Sequence, residues 1–230
     1  MKKIGLVGGL GPASTPDYYM GIINGCRQKA GENAYPEILI YSINMIEMIS
    51  FIEQDHWDEV VDLLANAIDK LSVAGADFAA IASNTPHLVF DEICARSPIP
   101  LLNIVAETCK HISTMGYQRI LAIGTLFTMK SGLYSEPLKK FGVTPLLPSE
   151  QDQEKIYSLF YPNLENGIVV AEDKEKMLEL LSVIIEEQDA DSLLLGCTEL
   201  PLMIRPGDLP IPLIDTMQIH IGSIVAFALD

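Results

Sequence analysis

A cysteine follows a short apolar run near the C-terminal end of the chain. Residues 192–195 form the run, and Gly196 separates it from Cys197, Thr198 and Glu199. The run is typical of a buried strand, and ligands of α/β proteins bind beyond the carboxyl ends of the strands. A thiol can serve as an acid or a base near neutral pH, because its ordinary pKa is about 8.5 and falls in electropositive settings. Cys197 is therefore the leading candidate for a catalytic group.

The arrangement around Cys197 occurs a second time, earlier in the chain, with a serine in place of the cysteine. An Ala-Asp pair precedes Ser83 at the same spacing at which another Ala-Asp pair precedes Cys197. Two further segments recur in the same order and at a nearly constant offset. These are residues 3–8 with residues 119–124, and residues 99–102 with residues 211–214. The repeat predicts two similar halves that present Ser83 and Cys197 from equivalent loops.

Short apolar runs alternate with segments of helical periodicity through both halves, which predicts strands that alternate with helices. The predicted strands are residues 3–7, 37–44, 78–82, 100–104, 119–123, 144–147, 192–195 and 212–214; the predicted helices are residues 13–29, 45–53, 58–74, 88–95, 106–115, 129–141, 150–163, 174–188 and 216–229. The pattern predicts an α/β protein with two parallel-sheet lobes related by pseudo-twofold symmetry and an active site in the cleft between them. The expected domains are residues 1–104 with 215–230, and residues 105–214.

The composition is that of a globular protein, with 230 residues, 49% hydrophobic and 20% charged. The net charge of −16 argues against nucleic-acid and anionic membrane surfaces as partners. No apolar run reaches membrane length, and residues 4–9 are too short and too glycine-rich for a signal sequence. The four cysteines lack metal-ligand spacing, so we expect free thiols, a cytoplasmic location and no metal.

The loop after the first predicted strand is rich in glycine. Gly9-Leu10-Gly11 could suggest a dinucleotide site, but the fingerprint requires a further glycine where Ser14 stands, and Pro12 occupies the turn. We therefore expect no dinucleotide cofactor. A loop whose backbone N–H groups approach a carboxylate is the preferred interpretation.

Four segments together resemble the aspartate/glutamate racemase family, and the resemblance spans essentially the whole chain. The segments are residues 7–15, residues 83–87, residues 196–199, and Asp215-Thr216 with His220. The resemblance implies an amino-acid racemase or epimerase that uses no pyridoxal phosphate or other cofactor, and it implies a homodimer. It also implies one acid/base cysteine in each half. Cys197 matches the second cysteine, whereas Ser83 stands where the first is expected.

The resemblance implies that polar side chains and backbone N–H groups beside the two acid/base positions hold the substrate's α-carboxylate and ammonium. The predicted substrate-binding residues are Gly9, Leu10, Asn84, Thr85, Thr125, Thr198 and Glu199. Asn84, Thr85 and Thr198 are equally typical of residues that cap a following helix. Glu199 could orient or deprotonate the thiol, receive the substrate's ammonium group, or cap the next turn.

The sequence leaves three functions open, because a serine hydroxyl is a much poorer base than a thiolate. Cys197 could deprotonate one enantiomer while Ser83, or a water molecule that it holds, protonates the opposite face, which would give a direction-biased racemase. Cys197 could instead act alone in a related isomerase, lyase or hydrolase. The third alternative is a catalytically weak or inactive protein that binds an amino acid or small carboxylate.

The remaining histidines and cysteines have mainly structural interpretations. His220 is the exception, because as part of a family motif it is predicted to support the site by polarising Cys197. His87 is interpreted as a packing or capping residue, and His56 and His111 as surface residues. Cys26, Cys94 and Cys109 lie in apolar helical patterns typical of small core residues.

The substrate's side chain is expected not to be acidic. Members of the family that act on acidic amino acids place a basic residue after the second strand and another in the second half. Residues 42–49 contain no Lys or Arg, and residues 163–167 offer Glu165 instead. Because burying an unpaired charge is costly, the sequence predicts a neutral, polar or hydrophobic amino acid and allows broad specificity.

Overall fold

The computed structural model describes all residues 1–230 and confirms the α/β class. The chain divides into two compact units, which are Met1–Ile104 with Met217–Asp230, and Val105–Thr216. Each unit contains a sheet of four parallel strands flanked by helices. No helix is both long and apolar enough to cross a membrane.

The first unit is built around a sheet in the order β2-β1-β3-β4. Its elements are β1 (Ile4–Gly8), α1 (Ser14–Ala30), β2 (Ile38–Ser42), α2 (Met45–Glu53), α3 (Trp57–Val73), β3 (Phe78–Ile81), a 3-10 turn (Thr85–Val89), α4 (Phe90–Arg96) and β4 (Leu101–Leu102). The last helix of the chain begins at residue 216, and its residues from 217 onward belong to this unit. The inner strands β1 and β3 are wholly buried, in keeping with their continuous apolar runs.

The second unit repeats this plan in the order β6-β5-β7-β8. Its elements are α5 (Ile104–Ile112, with its first residue in the first unit), β5 (Arg119–Gly124), α6 (Leu126–Lys130), α7 (Ser135–Lys139), β6 (Thr144–Leu146), α8 (Glu150–Phe160), a 3-10 turn (Leu164–Asn166), α9 (Ala171–Gln188), β7 (Ser192–Gly196), α10 (Leu200–Met203) and β8 (Leu213–Asp215); α11 is Thr216–Leu229. The strand order is therefore the same in both units.

The hydrogen bonds of the two sheets also correspond. In the first unit, β1 pairs with β3 from Ile4 opposite Phe78, and the N–H of Ala79 donates to the carbonyl of Pro100 at 2.9 Å. In the second unit, the same bond runs from Leu193 to Pro212 at 2.9 Å. The internal repeat read from the sequence is thus visible in the backbone.

Apolar side chains cover both faces of the first sheet. One cluster joins β1 and β3 to α2 and α3, and another joins the opposite face to α1 and α11. In the second unit, one large cluster joins β5 and β7 to α8, α9 and α10, and it includes Cys197. In each unit, the loops at the carboxyl ends of the strands therefore begin from a sheet that is packed against helices.

Three predictions about local structure were wrong. The sequence predicts Ser14 or Thr15 as the N-cap of the first helix, but the N-cap position of α1 is Ala13, and both side chains bond elsewhere in the glycine-rich loop. The predicted helix over residues 129–141 is two short helices, α6 and α7, interrupted around Gly132, whose φ is +71°. Cys94 is exposed rather than buried, whereas Cys26 and Cys109 are buried as expected.

Candidate active site

Cys197 lies immediately beyond the carboxyl end of β7, where the sequence predicted a reactive group. The residue before it, Gly196, is paired with Gly124 of the neighbouring strand. A Cβ at position 196 would approach the carbonyl oxygen of Ile123 to 2.9 Å, and one at position 124 would approach that of Gly196 to 2.8 Å. Only glycine fits between these strand ends, and the close approach fixes where the Cys197 loop leaves the sheet.

The Cys197 thiol bonds to a carboxylate in its own loop. Its Sγ donates to Oε2 of Glu199 at 3.2 Å, and the hydroxyl of Thr198 donates to the same oxygen at 2.8 Å. The three side chains are 3–6% exposed, so these bonds are shielded from water. The other oxygen of Glu199, Oε1, is buried without a hydrogen-bond partner. Glu199 holds the N-cap position of α10 without a side-chain capping bond, so its capping interpretation was wrong.

Burial and nearby negative charge keep the Cys197 thiol protonated at neutral pH. Burial raises the pKa of Cys197 well above its usual value, and the charge of Glu199 raises it further. Glu165 adds a smaller contribution in the same direction. The pKa of Glu165 is itself raised to about 7, first by burial and then by the charge of Glu199. The thiol can act as an acid as it stands, and it can act as a base once its proton passes to a carboxylate.

Ser83 occupies the equivalent position after β3 in the first unit. Its N–H donates to the carbonyl of Ile81 at 2.9 Å, and Ser83, Asn84 and Thr85 are all buried. Asn84 stands at the N-cap position of the 3-10 turn without a side-chain capping bond. Its amide is thus not used for capping, contrary to the structural alternative that the sequence offered.

Two buried histidines lie in the first unit. His87 stacks on Phe90 with ring centroids 4.9 Å apart, and its Nε2 accepts the N–H of Ile104 at 3.4 Å. Nδ1 of His220 pairs with the Tyr18 hydroxyl at 3.0 Å, and Nε2 donates to the carbonyl of Leu102 at 3.2 Å. Because both ring nitrogens of His220 are engaged, this bonding does not support the predicted polarisation of Cys197.

Neither buried histidine is protonated in the folded protein at neutral pH. Burial lowers the pKa of His87 to about 3, with a further contribution from the charge of His220. Burial likewise lowers the pKa of His220 to about 4. The packing interpretation of His87 is confirmed, and His56 and His111 are exposed as predicted.

The glycine-rich loop after β1 is fixed by side chains of α1. The N–H of Gly9 donates to the hydroxyl of Thr15 at 2.9 Å, so this donor is already used. Gly9 has φ +82°, and a Cβ there would lie 2.6 Å from the carbonyl oxygen of Ile43. The position therefore requires glycine. Leu10 beside it is buried. In the second unit, Thr125 caps α6 by accepting the N–H of Thr128 at 3.2 Å.

Two residues beside the predicted site were not assigned a role in it from the sequence. Tyr18 reads as a core residue because it repeats with Ile22 and Cys26 on one face of α1, and nothing in that pattern indicates a bond to His220. In the sequence, Glu165 mattered only because residues 163–167 offer it in place of a basic residue. Its electrostatic coupling to Glu199 depends on how the 3-10 turn packs, which the sequence does not reveal. No group of three or more His, Cys, Asp or Glu side chains is arranged to hold a metal ion.

The fold and site define a class of protein: a duplicated α/β chain with a thiol and a carboxylate at a strand end of one unit. Residues 7–224 match the family described as Asp/Glu/Hydantoin racemase, and the chain belongs to that family. It is therefore an enzyme of the isomerase class, as the resemblance implied.

Individual relatives agree with this assignment. The chain is 29% identical over 222 residues to the broad specificity amino-acid racemase RacX of Bacillus subtilis (strain 168), which covers 93% of this chain and 92% of the relative. It is 27% identical over 179 residues to a glutamate racemase of Aquifex aeolicus (strain VF5), and the match covers 77% of this chain and 67% of the relative. The crystal structure of an aspartate racemase homologue from Pyrococcus horikoshii OT3 has a TM-score of 0.86 and 34% identity, with 100% of both chains covered.

Proposed function

We propose that this protein racemises or epimerises amino acids without pyridoxal phosphate or another cofactor, with Cys197 as its main acid/base group. The observation that carries the proposal is the buried Cys197 thiol bonded to Glu199 at the end of a central strand. A carboxylate at 3.2 Å can take the thiol proton and leave a thiolate beside the substrate. Asn84, Thr85, Thr125, Thr198 and the loop at Gly9 and Leu10 hold the substrate in this proposal.

The proposed reaction exchanges one proton on each face of Cα. The thiolate takes the Cα proton, so that the C–H bond breaks, an S–H bond forms, and the electron pair moves onto the α-carboxylate. Ser83, or a water molecule that it holds, then delivers a proton to the opposite face: its O–H bond breaks, and the electron pair returns from the carboxylate to form the new C–H bond. The oxyanion that is left regains a proton from solvent, and the thiol passes its proton back to a carboxylate before the next turnover. Hydrogen bonds to the carboxylate stabilise the charge that develops in between.

Ser83 makes the two directions unequal in this proposal. A serine hydroxyl can give a proton to a carbanion, but unaided it is a poor base for Cα. Because two enantiomers have the same free energy, kcat/KM must be equal in both directions. The bias therefore appears as a higher kcat in one direction, matched by a higher KM.

Chiral product analysis and Cα deuterium exchange in D2O over an amino-acid panel test this function. Cys197→Ala is expected to lose activity by about 10²-fold or more, the usual contribution of an acid/base group, whereas Cys94→Ala, at an exposed position, keeps it. Ser83→Cys is expected to raise kcat in the slow direction. No exchange by the native protein with any amino acid contradicts the proposal. If Ser83→Cys is unchanged or slower in both directions, the role given to Ser83 is wrong.

The serine favours one second candidate, in which Cys197 works alone in a one-sided isomerase or lyase reaction. Deuterium exchange at Cα with retention of configuration, unchanged by Ser83→Ala, would support that alternative. The expected oligomer is a homodimer, which light scattering after size exclusion tests. All four cysteines are free, which agrees with a reducing compartment such as the cytoplasm.

A further inference from the structure

The two sheets have four edge strands, and β2 is the one whose edge is long and unprotected. The edge strands β4 and β8 are only two and three residues long. In β6, the N–H of Thr144 donates inward to the carbonyl of Gln118 at 2.8 Å, so the next residue, Pro145, faces outward and has no N–H to offer. Strand β2 has five residues, from Ile38 to Ser42, with no proline and no charge. Proteins usually shorten, charge or interrupt such an edge, because it can pair with another strand.

The outer side of β2 carries main-chain groups that are available for pairing. At its two ends the strand bonds to β1 at 3.0 Å, through the carbonyl of Glu37 and the N–H of Ile43. In a parallel pair, alternate residues bond to the same neighbour. The N–H and carbonyl groups of Ile38, Ile40 and Ser42 therefore point away from β1, and no backbone hydrogen bond of the structure uses them.

Apolar side chains lie beside this free edge. A Cβ at Gly8 would lie 3.5 Å from Cγ2 of Ile40 and 2.6 Å from Cγ2 of Thr15, so Ile40 lies on the side of the sheet that α1 covers. Tyr19 is one turn beyond Thr15 on the same side of α1. Ile40 and Tyr19 are each 41% exposed. The edge therefore combines unpaired main-chain groups with apolar side chains that are open to solvent.

We propose that β2 pairs antiparallel with β2 of a second copy of this chain, across a twofold axis at Ile40. This pairing joins the first-unit sheets of the two copies into one. Ile40 then lies opposite its own counterpart and Ile38 lies opposite Ser42, so each outward N–H meets an outward carbonyl. The inference locates the interface of the proposed homodimer. It rests on that dimer and does not depend on racemisation.

The charge of the chain favours a second copy as the occupant of this edge. Two copies that each carry a net charge of −16 repel each other, except where uncharged surfaces meet. Residues 38–46 contain no charged side chain. A basic partner would find nothing in this run to balance its charge, whereas a second copy places one uncharged strand against another.

The dimer dissociation constant, measured by sedimentation equilibrium, tests the proposal. The native protein is expected to be a dimer. Ile40→Lys would place two lysines opposite each other at the twofold axis and should raise the dissociation constant by at least about tenfold. Val183→Lys makes the same change at a side chain that is 53% exposed on α9 of the second unit, and it should leave the dimer intact. Circular dichroism of each variant checks that the fold is retained.

Residue-resolved amide hydrogen exchange of the native protein is a second test that needs no variant. On dilution from dimer to monomer, the amides of Ile38, Ile40 and Ser42 should exchange faster, whereas those of Leu39 and Tyr41 are bonded to β1 and should not change. A monomer at all concentrations would overturn the proposal, as would exchange without this alternation. A dimer that Ile40→Lys does not weaken would contradict only this interface. The homodimer would then stand, and so would racemisation, which Cα deuterium exchange measures separately.

Discussion

The Cys197 thiol and the Glu199 carboxylate depend on each other. Glu199 both accepts the thiol proton and, through its charge, raises the pKa of the thiol. The two effects oppose each other in a racemase. The thiol can act as a base only after Glu199 accepts its proton, but the negative charge of Glu199 raises the pKa of the thiol and makes the thiolate harder to form. In the proposed function, the substrate's ammonium group would relieve the second effect by offsetting the negative charge.

Glu199→Gln separates these two effects. Removing the charge is expected to lower the pKa of Cys197, although burial, the larger cause, remains. Alkylation of Cys197 by iodoacetamide at pH 7 should therefore become faster, while racemisation falls because the proton acceptor is lost. Mass spectrometry of a Cys94→Ser background would follow the reaction, since Cys94 is the exposed thiol. Unchanged or slower alkylation, with Glu187→Gln as the matched control, would show that the Glu199 charge does not control this thiol.

At the residue scale, the sequence predicted the local structure around Cys197 and Ser83 correctly. Each follows a short apolar run in a duplicated segment, and the runs are the buried strands β7 and β3. The bonding of His220 could not be predicted, since it depends on Tyr18 being brought to the same place by the fold. The predicted burial of Cys94 was wrong for a related reason. A short apolar helix shows which residues could be buried, whereas the neighbouring elements decide which are.

At the scale of elements, the strands were predicted most reliably. All eight were found in order, because buried parallel strands are continuous apolar runs bounded by glycine or proline. Helix ends were less certain, as α1 shows, because capping depends on side-chain bonds that propensity does not determine. The 3-10 turn at Thr85–Val89 was not predicted, because the expected helix began only at residue 88. That turn holds Asn84 and Thr85 in the predicted site, so the least regular segment carries predicted site residues.

Helices α1 and α11 pack closely through glycine. A Cβ at Gly25 would lie 2.8 Å from Cγ2 of Val225, a side chain that is 1% exposed and, being β-branched, has little freedom to move. Gly25→Ala should therefore destabilise the protein by about 1–3 kcal/mol, as overpacking typically does, even though alanine favours helix. Urea unfolding measures the change.

Gly222→Ala on α11 is the control for this packing. No atom outside the adjoining turns of α11 lies within 4 Å of a Cβ at position 222, so alanine should add helix propensity without strain and stabilise the protein by up to about 1 kcal/mol. If Gly25→Ala is as stable as the native protein, Val225 moves aside more easily than its burial implies.

At the scale of the whole molecule, the duplication keeps the backbone and changes the chemistry. Asp77 and Asp191 accept main-chain N–H groups at the start of the first strand of their units, from Lys3 at 2.6 Å and from Gln118 at 2.6 Å. The loops beyond β3 and β7 differ instead: one presents a serine and the other a cysteine with its carboxylate. Because the two units share this backbone arrangement, the repeat could be recognised in the sequence. The electrostatics around Cys197 could not be predicted from the sequence, since they depend on packing particular to the second unit.

The buried histidines should make the whole protein less stable in mild acid. Each is neutral when folded, with a pKa of about 3 for His87 and about 4 for His220, but takes up a proton near pH 6.5 when unfolded. The unfolded state therefore binds more protons as the pH falls from 6.5 towards 4, and each histidine lowers the free energy of unfolding by about 1.4 kcal/mol per pH unit. Glu165 acts in the opposite sense, because its pKa of about 7 makes the folded state bind a proton first. Between pH 6.5 and 5, the two histidines and Glu165 together should lower the free energy of unfolding with a slope equivalent to the uptake of one proton.

Urea unfolding at pH 6.5, 6 and 5 measures this slope, and His87→Gln should reduce it to near zero by removing one of the two histidines. The slope is compared rather than the stability itself, because the substitution also loses the stacking on Phe90. His111→Gln, at an exposed position, should leave the slope unchanged. Glu165→Gln should steepen it, since the opposing carboxyl is gone. If the native slope is flat and His87→Gln does not alter it, His87 is protonated in the folded protein. The conclusion that both buried histidines of the first unit are neutral would then be wrong.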